Sequence, residues 1–118
     1  MGKLILVVED QEDNRRILRD LLTSVDYELM EAGNGEEALA AMSKARPDLI
    51  LMDIQLPVMD GYEATRRIKA DPTIPVIAVT SYALSGDEAK ARAAGCDDFV
   101  PKPYSPRQLL AKIRQYLP

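Results

Sequence analysis

Three acids, one hydroxyl and one amine stand out in this 118-residue chain because of where they fall. Glu9-Asp10 follows the apolar run Leu4–Val8, Asp53 follows Leu49–Met52, Thr80 follows Val76–Val79, and Lys102 comes just after Phe99-Val100. Each marks the carboxyl end of a short apolar segment. If those segments lie side by side, three carboxylates, a hydroxyl and an ammonium share one rim. Carboxylates crowded into one cleft repel, so a cation is expected among them. A few hard oxygen donors, with room left for water and phosphate oxygens, suit Mg²⁺ better than zinc or an all-protein calcium cage. An EF-hand does not fit, because Asp10-Gln11-Glu12-Asp13-Asn14 lacks the required glycine and closing glutamate. The chain has no histidine. Ser-His and Cys-His nucleophile pairs, histidine-ligated zinc and histidine phosphocarriers are thereby excluded.

Positioning these residues requires alternating strands and helices. Leu4–Val8, Leu49–Met52 and Val76–Val79 are continuous apolar runs, the pattern of strands buried on both faces. Tyr27–Ala32 reads as a weaker strand and Phe99-Val100 as a short last one. Helices are predicted over 14–25, with Ile17, Leu18, Leu21, Leu22 and Val25 as the apolar stripe, then over 36–45 and 62–70. A further helix is capped by Ser85 and stopped by Gly95, and the last runs over 106–117. Strand–helix alternation of this kind gives right-handed crossovers and a parallel sheet covered on both faces. With the most apolar strands central, the expected fold is α/β, doubly wound and flavodoxin-like, in the order 2-1-3-4-5. Ligands of such sheets sit outside the carboxyl strand ends, where the winding reverses between strands 1 and 3.

Composition narrows the class. Hydrophobic residues are 47% of the chain and charged residues 29%, enough apolar material for a core without a metal or disulfide. The single cysteine, Cys96, rules out an internal disulfide and makes a reducing cytoplasm the expected location. A net charge of −4 argues against non-specific binding to nucleic acid or anionic membrane. The first residues resemble neither a signal peptide nor a lipidation site, and no apolar stretch is long enough to span a bilayer.

Taken in order, Glu9-Asp10, the string from Asp53 to Gly61 (DIQLPVMDG), Thr80-Ser81 and Lys102-Pro103 resemble the receiver domain of bacterial two-component response regulators. The resemblance runs from about Lys3 to Leu117 and is nearest to single-domain, CheY-like receivers. One domain over 1–118, without an effector domain, is therefore expected. The resemblance implies that Asp53 is the phosphoacceptor, that Asp10 binds Mg²⁺ directly and Glu9 through water, and that the Gln55 carbonyl is a further ligand. It implies that Lys102 neutralises phosphoryl oxygens, that Thr80 and the Ser81 amide hold the phosphoryl group, and that Phe99 turns inward as the switch aromatic. It also implies a cis Lys102-Pro103 bond. The implied partners are a histidine kinase or histidine phosphotransfer protein and a downstream protein target met by helix 4, strand 5 and helix 5. No activity is expected beyond accepting the phosphoryl group and slowly losing it.

Four features depart from the family pattern or add to it. Glu9 stands where many relatives have aspartate, Phe99 lacks a tyrosine hydroxyl, and Pro101 removes an amide that an edge strand can spare. Tyr82 is bulky for a position bordering the phosphoryl group and is expected to slow attacking water. Other residues have plainer readings. Arg15, Arg16 and Arg19 form a solvated face, with docking to a phosphotransfer helix as the alternative. Met52 and Met59 are packing residues, Cys96 fills space after Gly95, and Ala89, Ala91, Ala93 and Ala94 make a strong helix or a flat partner surface to which Tyr104, Arg107 and Gln108 could add. Among competing classes, a dehalogenase-type phosphatase wants an aspartate where Gln55 stands. A flavodoxin wants a Gly/Ser/Thr-rich phosphate loop where Glu9–Asp13 is acidic. A receiver that is never phosphorylated and serves only as an interaction module is the alternative that survives.

Overall fold

The computed structural model describes residues 3–54, 61–80, 87–102 and 104–118. Five strands, β1 (Leu4–Val8), β2 (Glu28–Ala32), β3 (Leu49–Asp53), β4 (Val76–Thr80) and β5 (Asp98–Pro101), alternate with five helices. These are α1 (Glu12–Thr23), α2 (Gly35–Lys44), α3 (Gly61–Ile68), α4 (Asp87–Ala94) and α5 (Pro106–Tyr116). The strands form one sheet in the order β2-β1-β3-β4-β5, every pairing parallel. The expected doubly wound, flavodoxin-like α/β fold is the observed one.

Side chains alternate across the sheet and divide the core in two. Leu6, Val8, Ile50, Met52, Val76 and Ala78 pack with Ala38 of α2, Ala64 and Ile68 of α3 and Ala91 of α4. Their neighbours Ile5, Val7, Leu49, Leu51, Ile77 and Val100 pack with Leu18 and Leu22 of α1 and Leu109 and Ile113 of α5. Both faces of β3 and β4 are buried throughout, which is why those strands read as unbroken apolar runs.

Helix boundaries differ from the periodicity in instructive ways. α1 begins at Glu12, so Glu12 and Asp13 occupy its first turn, where the helix dipole favours acids. It ends at Thr23 because Asp26 takes a left-handed φ of 69° and the Tyr27 amide returns to the Leu22 carbonyl. Val25 therefore lies beyond the helix. Ile17, counted in the apolar stripe, is instead 61% exposed. Asn34 caps α2 by accepting from the Glu37 amide, and Gly95 follows α4 with φ 110°, a conformation L side chains avoid. Ser105 and Gln108 close a capping box that starts α5. The Gln108 side chain is thus tied to the helix start while the residue stays exposed beside β5. Ser85, the expected cap of α4, lies outside the described residues.

Candidate functional site

The parallel register brings the expected residues to one rim. Val8 pairs with Met52, Asp53 with Val79 and Thr80 with Pro101, so Glu9, Asp53, Thr80 and Lys102 leave the sheet at neighbouring positions. The Glu9 amide bonds the Ala32 carbonyl and the Lys102 amide bonds the Thr80 carbonyl at 2.7 Å, which continues the ladder just past the strands. Glu9, Asp53 and Thr80 are buried, while Asp10 is exposed.

Gly61 seats α3 against β3. Its amide bonds the Ile54 carbonyl at 3.0 Å, and a Cβ there would lie 2.5 Å from the Asp53 carbonyl oxygen and 2.6 Å from the Ile54 Cα. Only glycine lets the two backbones approach this closely.

Electrostatics centre on Lys102. Its Nζ donates to Glu9 Oε1 at 3.1 Å and lies 3.5 Å from Asp53 Oδ2. Burial alone would raise the pKa of Glu9, but the hydrogen bond with Asp53 and the Lys102 charge outweigh it and bring it to about 2. Burial would likewise lower the pKa of Lys102, yet the Asp53 and Glu9 charges hold it above the ordinary lysine value. Burial raises the pKa of Tyr104, which packs beside this group.

Carboxylate oxygens of Glu9, Asp10 and Asp53 all lie within 4.8 Å of one another. Such a hard-oxygen set, two of its members buried, matches the donor chemistry of a small divalent cation. Gln55, Ser81 and Tyr82 lie outside the described residues, as do Met59 and Pro103 with the expected cis bond.

Several neighbours carry more than spacing revealed. Asn14 Nδ2 donates to Glu9 Oε1 at 3.0 Å, and Arg15 donates to the Glu9 carbonyl at 2.7 Å. Arg15 and Arg19 also pair with Glu12 and Glu31, so they are internal struts of the α1–β2 side. Arg16 keeps an exposed pair with Asp13. Tyr104 packs on the α1/α5 side and lines a groove with Glu9 and Lys102, which places it at the site rather than on the partner surface first expected. Phe99 is half-buried against the α2/α3/α4 core. Met52 is a core residue, and Cys96 is buried with its thiol 3.7 Å from Thr65 Oγ1, both as their packing readings required.

A doubly wound sheet that ends in an acid cluster, a buried aspartate and a lysine set between carboxylates is the arrangement of the receiver class. The Response regulator receiver domain family matches residues 5–114, and the chain belongs to that family. It is 45% identical to the polar-differentiation response regulator DivK of Brucella anthropi, with 99% of this chain and 98% of that protein covered. The DivK of Brucella ovis is 43% identical over the same shares. Among solved structures, the receiver domain of a Pseudomonas aeruginosa sensor histidine kinase has a magnesium ion coordinated in its active-site cleft. It superposes with a TM-score of 0.92 at 36% identity, covering 99% of this chain and 98% of that one. The chemotaxis protein CheY4 of Vibrio cholerae gives a TM-score of 0.92 at 28% identity, covering 98% and 99%.

Proposed function

We propose that this receiver domain is a phosphoacceptor switch in which Asp53 takes a phosphoryl group from a phosphohistidine on a kinase or phosphotransfer protein. The observation that carries the reading is Lys102, brought from 93 residues away to lie between Glu9 and Asp53. An Asp53 carboxylate oxygen attacks phosphorus, the P–N bond breaks, and the imidazole nitrogen leaves with the bonding pair and takes a proton from solvent. Glu9, Asp10 and Asp53 would hold Mg²⁺, with the Gln55 carbonyl; the ion supplies charge neutralisation to the phosphoryl oxygens. Lys102 moves its ammonium onto a phosphoryl oxygen, and the Thr80 hydroxyl and Ser81 amide donate to others. Charge compensation and positioning are most of what this transfer needs.

A groove of about 650 Å³ opens beside Glu9 and Lys102, lined by Ile17, Leu18 and Leu21 of α1 with Tyr104 and Pro106. Its exposed apolar rim at Ile17 suits the apolar face of a phosphodonor helix. On the output side, Thr80 draws toward the phosphoryl group and Phe99 packs further inward, which alters the α4–β5–α5 surface met by a downstream protein. Ala89, Lys90 and Ala93 are exposed on α4, whereas Ala91 and Ala94 face the core. Among the described residues no helix is long and apolar enough to cross a membrane, and we place the protein in the cytoplasm with its kinase's catalytic parts.

Intact-protein mass spectrometry after incubation with acetyl phosphate tests the reading. The expected result is a Mg²⁺-dependent gain of about 80 Da, one phosphoryl group on an activated carboxylate, absent from Asp53→Asn. No adduct, even with a phosphohistidine donor, would leave an unphosphorylated interaction module.

A further inference from the structure

Glu9 is held by a residue outside the constellation just described. Asn14 stands in the first turn of α1, and its Nδ2 lies 3.0 Å from Glu9 Oε1, the same oxygen that Lys102 Nζ reaches at 3.1 Å. The other oxygen, Oε2, accepts a long bond of 3.4 Å from the Gln11 amide. Behind it, Arg15 grips the Glu9 carbonyl at 2.7 Å and ties to Glu12 and Glu31. One helical turn therefore fixes both the backbone and the side chain of Glu9.

The two donors to Oε1 differ in what can pull them away. Lys102 is charged, mounted on a long flexible stem, and already within 3.5 Å of Asp53 Oδ2. An anion built onto Asp53 attracts that ammonium strongly, because the pair is screened little in a largely buried cleft. The Asn14 amide is neutral, short and anchored on a helix, so the same anion exerts little force on it. Without a second donor, the departure of Lys102 would free a buried carboxylate to rotate away from its neighbours.

We propose that Asn14 is a positioning residue: it fixes the Glu9 carboxylate toward Asp10 and Asp53, and it keeps Glu9 there when Lys102 transfers to an anion on Asp53. The role of Asn14 rests on the phosphoacceptor reading, and the two are tested separately. Outer partners that orient carboxylate and histidine ligands typically change metal affinity by about 10–100-fold when removed.

Calorimetric titration of the metal-free protein with MgCl₂ measures the effect directly, in wild type, Asn14→Ala, Lys102→Ala and the double variant. Asn14→Ala is expected to weaken Mg²⁺ binding by about tenfold. Its metal-free thermal midpoint stays near wild type, because alanine is the better helix former. Asn14→Gln, which keeps an amide donor, lies between the two in affinity. In the Lys102→Ala background the loss caused by Asn14→Ala is larger than in wild type, because Glu9 then has neither donor. The proposal is overturned by an unchanged Mg²⁺ affinity in Asn14→Ala. It is equally overturned by a loss that is no larger without Lys102, or by an affinity loss that merely follows a fall in the thermal midpoint. Failure of the phosphoacceptor reading shows elsewhere, as a wild-type protein that binds Mg²⁺ but gains no phosphoryl mass.

Discussion

A methyl group added at position 61 would meet backbone that has nowhere to go. Gly61→Ala places carbon 2.5 Å from the Asp53 carbonyl oxygen, and the expected cost is about 1–3 kcal/mol, as for other overpacked sites. Gly33→Ala makes a useful contrast, since its nearest neighbours are the side-chain ends of Arg15 and Glu37 at 3.3 Å. Those ends can shift, and the change should stay within about 0.5 kcal/mol. Urea denaturation of both variants checks the pair. Lys102→Met tests the charge rather than the packing. Removing the ammonium between Glu9 and Asp53 leaves the acid cluster uncompensated, so Mg²⁺ should bind more tightly while phosphoryl uptake slows. Parallel titration and uptake measurements would show the two quantities moving in opposite directions.

At the scale of elements, β5 is fastened to α5 through a buried acid. Asp98 accepts from Lys112 at 2.9 Å, from Tyr116 at 3.2 Å and from the Phe99 amide at 2.8 Å. Burial opposes its ionisation, but the Lys112 and Phe99 hydrogen bonds outweigh that and lower its pKa below the ordinary 3.8. A carboxyl lowered on folding adds stability above its unfolded pKa and loses it as pH falls through the folded value. Lys112→Met should therefore cost about 1–3 kcal/mol at neutral pH, the penalty for a buried charged acceptor short of a donor. The gap to wild type should narrow as pH falls below the ordinary carboxylate range and Asp98 becomes protonated in both. Denaturation at neutral and acid pH would fail this account if the gap stayed constant.

The same scale shows what could be read in advance. The ends of β1, β3 and β4 were legible because an acid or a hydroxyl interrupts each apolar run at the rim of the sheet. Helix ends were less so. The first turn of α1 is Glu12-Asp13-Asn14, which has no apolar periodicity, and its end is set by the left-handed Asp26 rather than by the apolar Val25. Asn14 and Arg15 look like solvated helix residues in sequence. Their bonds to Glu9 depend on how α1 is aimed after β1, which only the packed structure supplies.

For the whole molecule, the acid cluster sets function against stability. Three carboxylates whose oxygens lie within 4.8 Å strain the metal-free fold, so Asp53→Asn should raise its thermal midpoint. The same substitution should shrink the gain that Mg²⁺ gives. If the wild type binds Mg²⁺ as proposed, that gain should approach about 2.7 kcal/mol with the ion at a hundred times its dissociation constant. Thermal scans of both proteins, with and without MgCl₂, read both effects at once. The sheet has a further consequence, through the way it separates α1 and α5 from α2, α3 and α4. Along β1 and β3, successive apolar residues alternate between the two cores, so the sheet backbone stands between a substitution in one layer and the other. After a gene duplication, one layer could drift toward a new recognition partner while the other kept its old geometry. The face formed by α4, β5 and α5 draws on both layers, so it is the α1 side and the α2–α3 side that are free to diverge in this way.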